Sequence, residues 1–266
     1  MQLSPEAIII LLVTLVVVFA TLVFQRRALL GQLPARRPLR ALDTLRAALG
    51  RGAETGKAIH ISPGTGTIGS GIGTRATTAE TLAGLLVAGR VSSEAALNGA
   101  PILVSSGDAV AYLALRGVVR QAYQQAGQLQ DYDPSRIQLL AHQNELAYAT
   151  GVAALYGRQK IEASVLIGSF NQEFLLIGEE SAQRGVPQVA GTTSTVGLPL
   201  MMLASDSTLI GEEIFAAEAY LTTTAPAQAR LQTADLLRTT IIMLIVGGVI
   251  YSLLQPQLGL PPLPSQ

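Results

Sequence analysis

The chain contains no cysteine, only two histidines and few charges, and each shortage removes a class of function. Without cysteine there is no disulfide, no thiolate nucleophile and no cysteine-zinc site, so the redox compartment is left open. His60 and His142 stand 82 residues apart and form no local ligand motif, so no metal site is expected, and the cofactor is left unknown. Lysine and arginine number 18, as do aspartate and glutamate. A zero net charge argues against the sequence-independent phosphate binding on which nucleic-acid proteins rely, so no nucleic-acid partner is expected. Charged residues are only 14% of the chain and hydrophobic ones 49%. That balance is too apolar for a purely soluble protein.

Two apolar runs account for it. Ala7 to Phe24 carries no charge and is interrupted only by Thr14 and Thr21, which at about 1.5 Å rise per residue covers most of a bilayer. Glu6 precedes it and Gln25, Arg26 and Arg27 follow, the reverse of a cleavable signal peptide, so it reads as a retained anchor. The second run, Thr239 to Leu254, is short for a span and is expected to begin earlier. All 18 Lys and Arg fall between the two runs, with Arg26, Arg27, Arg36, Arg37 and Arg40 crowding the exit of the first. The positive-inside bias then places both termini outside and the middle in the cytoplasm, with the lipid bilayer as the first partner.

The expected organisation is a short outer tail (1–6), a transmembrane helix (7–25), a basic connector (26–51), a cytoplasmic domain (52–225), a helix leading into the second span (226–254) and a proline-rich outer tail (255–266). Within the connector, Leu39, Leu42, Leu45 and Leu49 make a short amphipathic helix, either lying on the inner leaflet or, as favoured here, packing on the domain. Short apolar runs at Ala58–Ser62, Pro101–Ser105, Ile137–Ala141, Ala163–Ile167 and Pro187–Ala190 alternate with helical segments at Ala79–Ala88, Ala109–Ala126, Glu145–Tyr156, Glu173–Arg184 and Ser207–Leu221. Such alternation predicts one α/β domain with a mainly parallel, helix-flanked sheet of about five strands. Thr77 with Glu80 fits a capping box, Asp108, Asn144 and Asp206 are further cap candidates, and Gly89–Ser93 reads as a turn. Leu176-Ile-Gly-Glu-Glu180 recurs as Leu209-Ile-Gly-Glu-Glu213, each placing a glycine inside a predicted helix. In the second anchor, Gly248 and Ser252 form a small-x-x-x-small pair that suits close helix approach, between the anchors or between copies.

In a parallel sheet, ligands bind beyond the carboxyl ends of the strands. Reading those ends collects Ser62, Gly64, Gly66 and Gly69, then Ser106 and Asp108, then His142 and Asn144, then Ser169 and Asn171, and finally Thr192 and Thr193. The same residue types cap helices that start at that edge. Gly64-Thr-Gly66-Thr-Ile-Gly69 matches G-x-G-x-x-G, yet the loop runs on through Gly71 and Gly73 before the helix signal at Thr77, too long for a dinucleotide turn. Ser70 stands where a phosphate loop needs lysine. A loop of exposed backbone amides still suits some other anion. For acid/base work the candidates are His60, His142, Asp108 and Glu145, and a lone histidine at a strand end is more often structural.

The runs GKAIHISPGTGTIG, TTAETLAGL, DYDPSRIQLL, ASVLIGSFNQEFLLIGEE, GVPQVAGTT and LIGEEIFAAEAYL together resemble a family of bacterial membrane proteins described as domain of unknown function 6754. The likeness covers about Gly56 to the second anchor, and GSF and LIGEE are its most specific parts. It implies a two-anchor protein of the bacterial inner membrane with one α/β domain, and it brings no catalytic residues. The favoured expectation is a binding or scaffold module that self-associates or joins a membrane complex. The alternative is a membrane-tethered enzyme or sensor that takes a small, anionic ligand at the glycine loop.

Overall fold

The computed structural model describes residues 5–31, 39–69, 75–222 and 224–258. Pro34, Pro38, Arg36 and Arg37 of the connector, Ser70, Gly71 and Gly73 of the glycine loop, and the tail from 259 lie outside the described residues. The chain divides into two compact units.

One unit joins the terminal helices α1 (Pro5–Leu29) and α9 (Ala225–Leu258). Ile10–Leu29 and Ala225–Val249 are long and apolar enough to cross a bilayer, so the second run does begin well before Thr239. The helices pack side by side, and Thr21 Oγ1 lies 3.1 Å from Thr233 Oγ1. Each hydroxyl also lies 2.8 Å from the carbonyl four residues back, that of Val17 or Ala229. With one hydrogen apiece, a threonine that donates across the pair gives up the bond along its own helix. A side chain at Gly247 or Gly248 would meet nothing within 4 Å, and the Ser252 side chain lies outside the described ones.

The other unit, Arg36–Thr222, is built on six parallel strands: β1 (Ala58–Gly64), β2 (Ile102–Ser106), β3 (Ile137–Leu139), β4 (Ile161–Ser169), β5 (Gln188–Thr192) and β6 (Ser207–Ile210). They lie in the order β3-β2-β1-β4-β5-β6. The expected α/β architecture holds, with six strands in place of about five. The sixth lies where one helix was read over Ser207–Leu221. Asp206, taken as that helix's cap, instead accepts the backbone N–H of Gln188 at 2.7 Å and helps hold the edge strand, and the helix α8 starts only at Glu213 (Glu213–Leu221). The repeated LIGEE therefore adopts two structures. In the first copy Gly178 lies inside a helix, where a Cβ would come closer than 3.0 Å to Ala204. In the second, Gly211 makes the strand-to-helix turn at φ +56°.

Alternation along the strands sorts two cores. Ile59, Ile61, Val104, Val165 and Val189 face one side, covered by α2 (Arg40–Thr55), α3 (Arg75–Asn98), α4 (Ala109–Gln125) and α8. Leu103, Leu166 and Ala190 face the other, covered by α5 (Glu145–Arg158), α6 (Phe174–Arg184) and α7 (Gly197–Ala204), a helix absent from the sequence reading. Leu42, Leu45 and Leu49 of α2 are fully buried on the domain, the favoured of the two readings. Each contributes about 1.5–3 kcal/mol by leaving water. Arg46 adds a 2.9 Å hydrogen bond from Nη2 to the Tyr220 carbonyl.

Helix α3 runs unbroken through Gly89–Ser93, where a turn was read, and it begins at Arg75, before the proposed capping box. The reason is packing. A Cβ on Gly89 would come closer than 3.0 Å to Val118 of α4, so the glycine admits a neighbouring helix, which offsets its cost of about 1 kcal/mol in a helix interior. Thr77 Oγ1 donates to the Thr67 carbonyl at 3.3 Å and Glu80 turns toward the β5 loop.

Candidate functional site

In this strand order the chain leaves β1 toward one edge of the sheet and β4 toward the other. The two loops diverge, and a crevice opens beyond their carboxyl ends. A cleft of about 260 Å³ lies there. Thr65, Gly66 and Thr67 reach it from the β1 loop, Ser169 and Asn171 from the β4 loop, Gln143 and Glu145 from the segment after β3, and Thr77 from the first turn of α3.

The floor of the cleft is a backbone layer that continues the sheet. Thr65 N donates to the Ser169 carbonyl (3.1 Å), Gly107 N to the Gly64 carbonyl (3.0 Å) and Gln143 N to the Gly107 carbonyl (3.1 Å). Gly64 holds φ +88°, and a Cβ there would fall closer than 3.0 Å to the Ser169 carbonyl. A Cβ on Gly66 would meet the Ser169 and Thr81 side chains at the same range. The protein's own atoms therefore fill the space these glycines free, and no pyrophosphate has room to approach their backbone. Gln143 is the one non-glycine residue at positive φ (55°) among the described residues. The Gly107 hydrogen bond and the cap that follows it hold this strain in place.

Hydroxyls and amides make up the walls with the Glu145 carboxylate, and two buried carboxylates lie behind them. Glu173, almost fully buried, accepts Thr65 Oγ1 at 3.3 Å and the Asn171 backbone N–H at 3.0 Å. Burial raises its pKa above the ordinary carboxylate value, and the charge of Glu145 raises it further. Asn171 Nδ2 donates to Glu145 Oε1 at 2.9 Å, and Ser194 Oγ donates to Asn171 Oδ1 at 2.7 Å. Glu80, also buried, accepts the Thr193 backbone N–H at 2.9 Å and the Thr193 hydroxyl, which ties the β5 loop to α3.

Beneath the cleft a sealed polar chain crosses three strands. Tyr156 OH donates to Ser164 Oγ (2.7 Å), and Ser164 Oγ lies 2.9 Å from His60 Nδ1. With Nδ1 accepting, the remaining Ser164 hydrogen is used and Nε2–H donates to Ser105 Oγ (2.9 Å). From Ser105 the chain passes to Tyr148 OH (3.2 Å), on to Ser62 Oγ (2.5 Å), and ends where Ser62 Oγ accepts Gly64 N–H (3.0 Å). Burial lowers the His60 pKa to about 3 and pushes Tyr148 up to about 12 and Tyr156 higher still. The histidine is a neutral structural tie between β1, β2, β4 and α5, out of reach of any substrate.

Of the residues read from the strand ends, Gly66, Ser169 and Asn171 meet in the cleft together with Glu145. Ser62 and Gly64 lie under its floor, and Gly69 N–H donates to Thr78 Oγ1 at 3.0 Å. Ser106 and Asp108 are buried in the turn after β2. There Asp108 Oδ2 caps α4 by accepting Ala111 N–H (2.9 Å), and Asn144 caps α5 the same way through Ala147 N–H (2.9 Å). His142 is half exposed. Its Nδ1 lies 3.4 Å from Ala109 N and 3.8 Å from Asp108 Oδ1, so the contact with Asp108 is an ion pair only when the ring carries a proton. Thr192 is buried beside Glu80, and Thr193 binds it. Of the four acid/base candidates only Glu145 lines the cleft; His142 and Asp108 neighbour each other beside the start of α4, and His60 is sealed in the core. Gln143, Thr65, Thr67 and Thr77 were missed. Gln143 lay between two named neighbours, and only its backbone angle turns it toward the cleft.

The domain is thus a doubly wound α/β module with a small polar cleft at its strand-order reversal, in a chain with two bilayer-length apolar helices. Residues 2–260 match the family model Domain of unknown function (DUF6754), and the chain belongs to that family. No curated protein and no solved structure matches it.

Proposed function

We propose that the chain is a membrane-anchored binding module, with α1 and α9 spanning the inner membrane, both termini outside, and the α/β domain holding a small polar ligand on the cytoplasmic side. Arg26 and Arg27 in the last turn of α1 support that orientation. The observation that carries the ligand is Ser169. Its side chain is almost fully buried, it lines the cleft at the strand-order reversal, and its hydroxyl has no hydrogen-bond partner among the described residues. The hydroxyl is therefore open to the cleft and free to bond a ligand atom there in place of water. The volume, about that of nine waters at roughly 30 Å³ each, suits a small metabolite and is below the usual range for larger ligands.

Two experiments test the reading. A metabolite library should raise the melting temperature of the detergent-solubilised full chain, and Thr67→Trp, which fills the cleft, should abolish the shift. A shift that survives Thr67→Trp would place binding elsewhere. For orientation, the absence of cysteine makes any engineered one unique. An impermeant maleimide should label Gln2→Cys on intact cells and Gln130→Cys only after permeabilisation, and the reverse pattern contradicts the topology.

A further inference from the structure

Glu145 is the only formally charged residue among those lining the cleft, and its carboxylate is exposed there with a single hydrogen bond, from Asn171 Nδ2 to Oε1. Oε2 has no partner among the described residues. Glu173 lies buried behind the lining, accepting the Asn171 N–H and the Thr65 hydroxyl, and no lysine or arginine stands among the described lining residues to balance Glu145. An anion entering this space meets the Glu145 carboxylate with no cation beside it, which is unfavourable. A divalent metal ion needs about six oxygen ligands, several of them carboxylate, and no group of three or more His, Cys, Asp or Glu side chains suited to a metal exists among the described residues. A small organic cation fits what is left. A charged ammonium donates to one or two carboxylate oxygens, and the hydroxyls and amides around it meet the rest of the molecule.

We infer that the cleft takes a small ammonium compound, such as an amino alcohol or a short polyamine, with Glu145 Oε2 as the ammonium's partner and Ser169 Oγ and the Gln143 side chain binding its polar remainder. The three groups come from segments following β3 and β4, and the backbone layer at the cleft floor fixes their spacing: Gln143 through Gly107, and Ser169 through Thr65. Held this way, the backbone that carries these groups is in place before ligand arrives. The strained backbone of Gln143 is consistent with that role, because a residue free to relax would leave positive φ.

This inference deepens the ligand-binding reading and rests on it, so the test separates the two. The full chain in detergent is titrated with three probe sets: ethanolamine and putrescine, glycerol and myo-inositol, and acetate and inorganic phosphate. The melting temperature is followed for wild type, Glu145→Gln and Thr67→Trp. Because Glu145 is exposed, Glu145→Gln should melt within about 2 °C of wild type without ligand. The expected result is a shift of about 3 °C or more with an amine, with its half-saturation concentration raised at least tenfold in Glu145→Gln and the shift absent in Thr67→Trp. An amine shift unaffected by Glu145→Gln overturns the assignment of the ammonium's partner. A shift with polyols or anions alone, lost in Thr67→Trp, overturns the ligand class and leaves the cleft reading standing. No shift with any probe overturns both.

Discussion

A Cβ on Gly64 would come closer than 3.0 Å to the carbonyl oxygen of Ser169, and that oxygen already accepts the Thr65 N–H at 3.1 Å. The two residues end neighbouring parallel strands, where the pairing slips by one residue between Ser62 and Gly64, and the glycine is what allows the backbones to stay paired past that irregularity. Gly64→Ala is expected to destabilise the domain by about 3 kcal/mol or more through backbone strain and overlap together, lowering its melting temperature by about 6 °C or more. Gly127→Ala is the control, because its φ is +73° but nothing lies within 4 Å of the added carbon. It should cost about 1 kcal/mol. Equal losses in the two variants would mean that only the dihedral matters.

The sealed histidine makes an acid-stability prediction. His60 titrates near 3 when folded and near its ordinary value of 6.5 when unfolded. Between these values the unfolded chain binds the extra proton, so stability rises with pH and is lost as pH falls. The expected slope is about 1.4 kcal/mol per pH unit from pH 6.5 downward. His60→Gln, which keeps one donor and one acceptor, should remove that slope while the other carboxyl-linked losses remain. Denaturant midpoints of both proteins between pH 4 and 7 measure it, and parallel curves would contradict the assignment.

Gln143 carries strain that a glycine would not. Gln143→Gly should raise stability by about 0.5–1 kcal/mol, since positive φ no longer opposes folding, and should weaken any ligand-induced thermal shift because the amide is gone. A variant that loses stability would show that the side chain, exposed in this structure, is needed by the fold.

Helix α2 offers a direct check on what the connector does. Leu45 is fully buried against the domain, so Leu45→Ala should cost about 2–5 kcal/mol, read as a fall of about 4 °C or more in melting temperature. A helix resting on lipid would lose membrane affinity with little change in domain stability.

Much of the architecture was legible because it rests on local patterns. Alternating apolar runs marked five of the six strands, and Asp108 and Asn144 marked the starts of α4 and α5 by the chemistry of their side chains. Gly89 and Ser207–Leu221 were misread because the deciding contacts are remote. Val118 of α4 determines that Gly89 stays helical, and pairing with β5 determines that Ser207–Ile210 is a strand. The cleft was legible as an edge of the sheet and illegible in detail, since Gly64 and Gly66 look the same in sequence whether they admit a ligand or, as here, the Ser169 backbone and side chain. Gln143 gave no compositional signal at all, because its place depends on a dihedral held by Gly107.

The central claim, a cleft whose negative potential selects a cation, is tested most directly by a charge-sensitive chemical probe. Thr67→Cys places the chain's only thiol in the cleft. Its modification rates by a trimethylammonium and a sulfonate methanethiosulfonate reagent are compared, each normalised to its rate with free cysteine. The account predicts at least about tenfold preference for the cationic reagent, most of it lost when Glu145→Gln is added, as one removed charge at short range implies. Equal normalised rates, or a preference unchanged by Glu145→Gln, would contradict it.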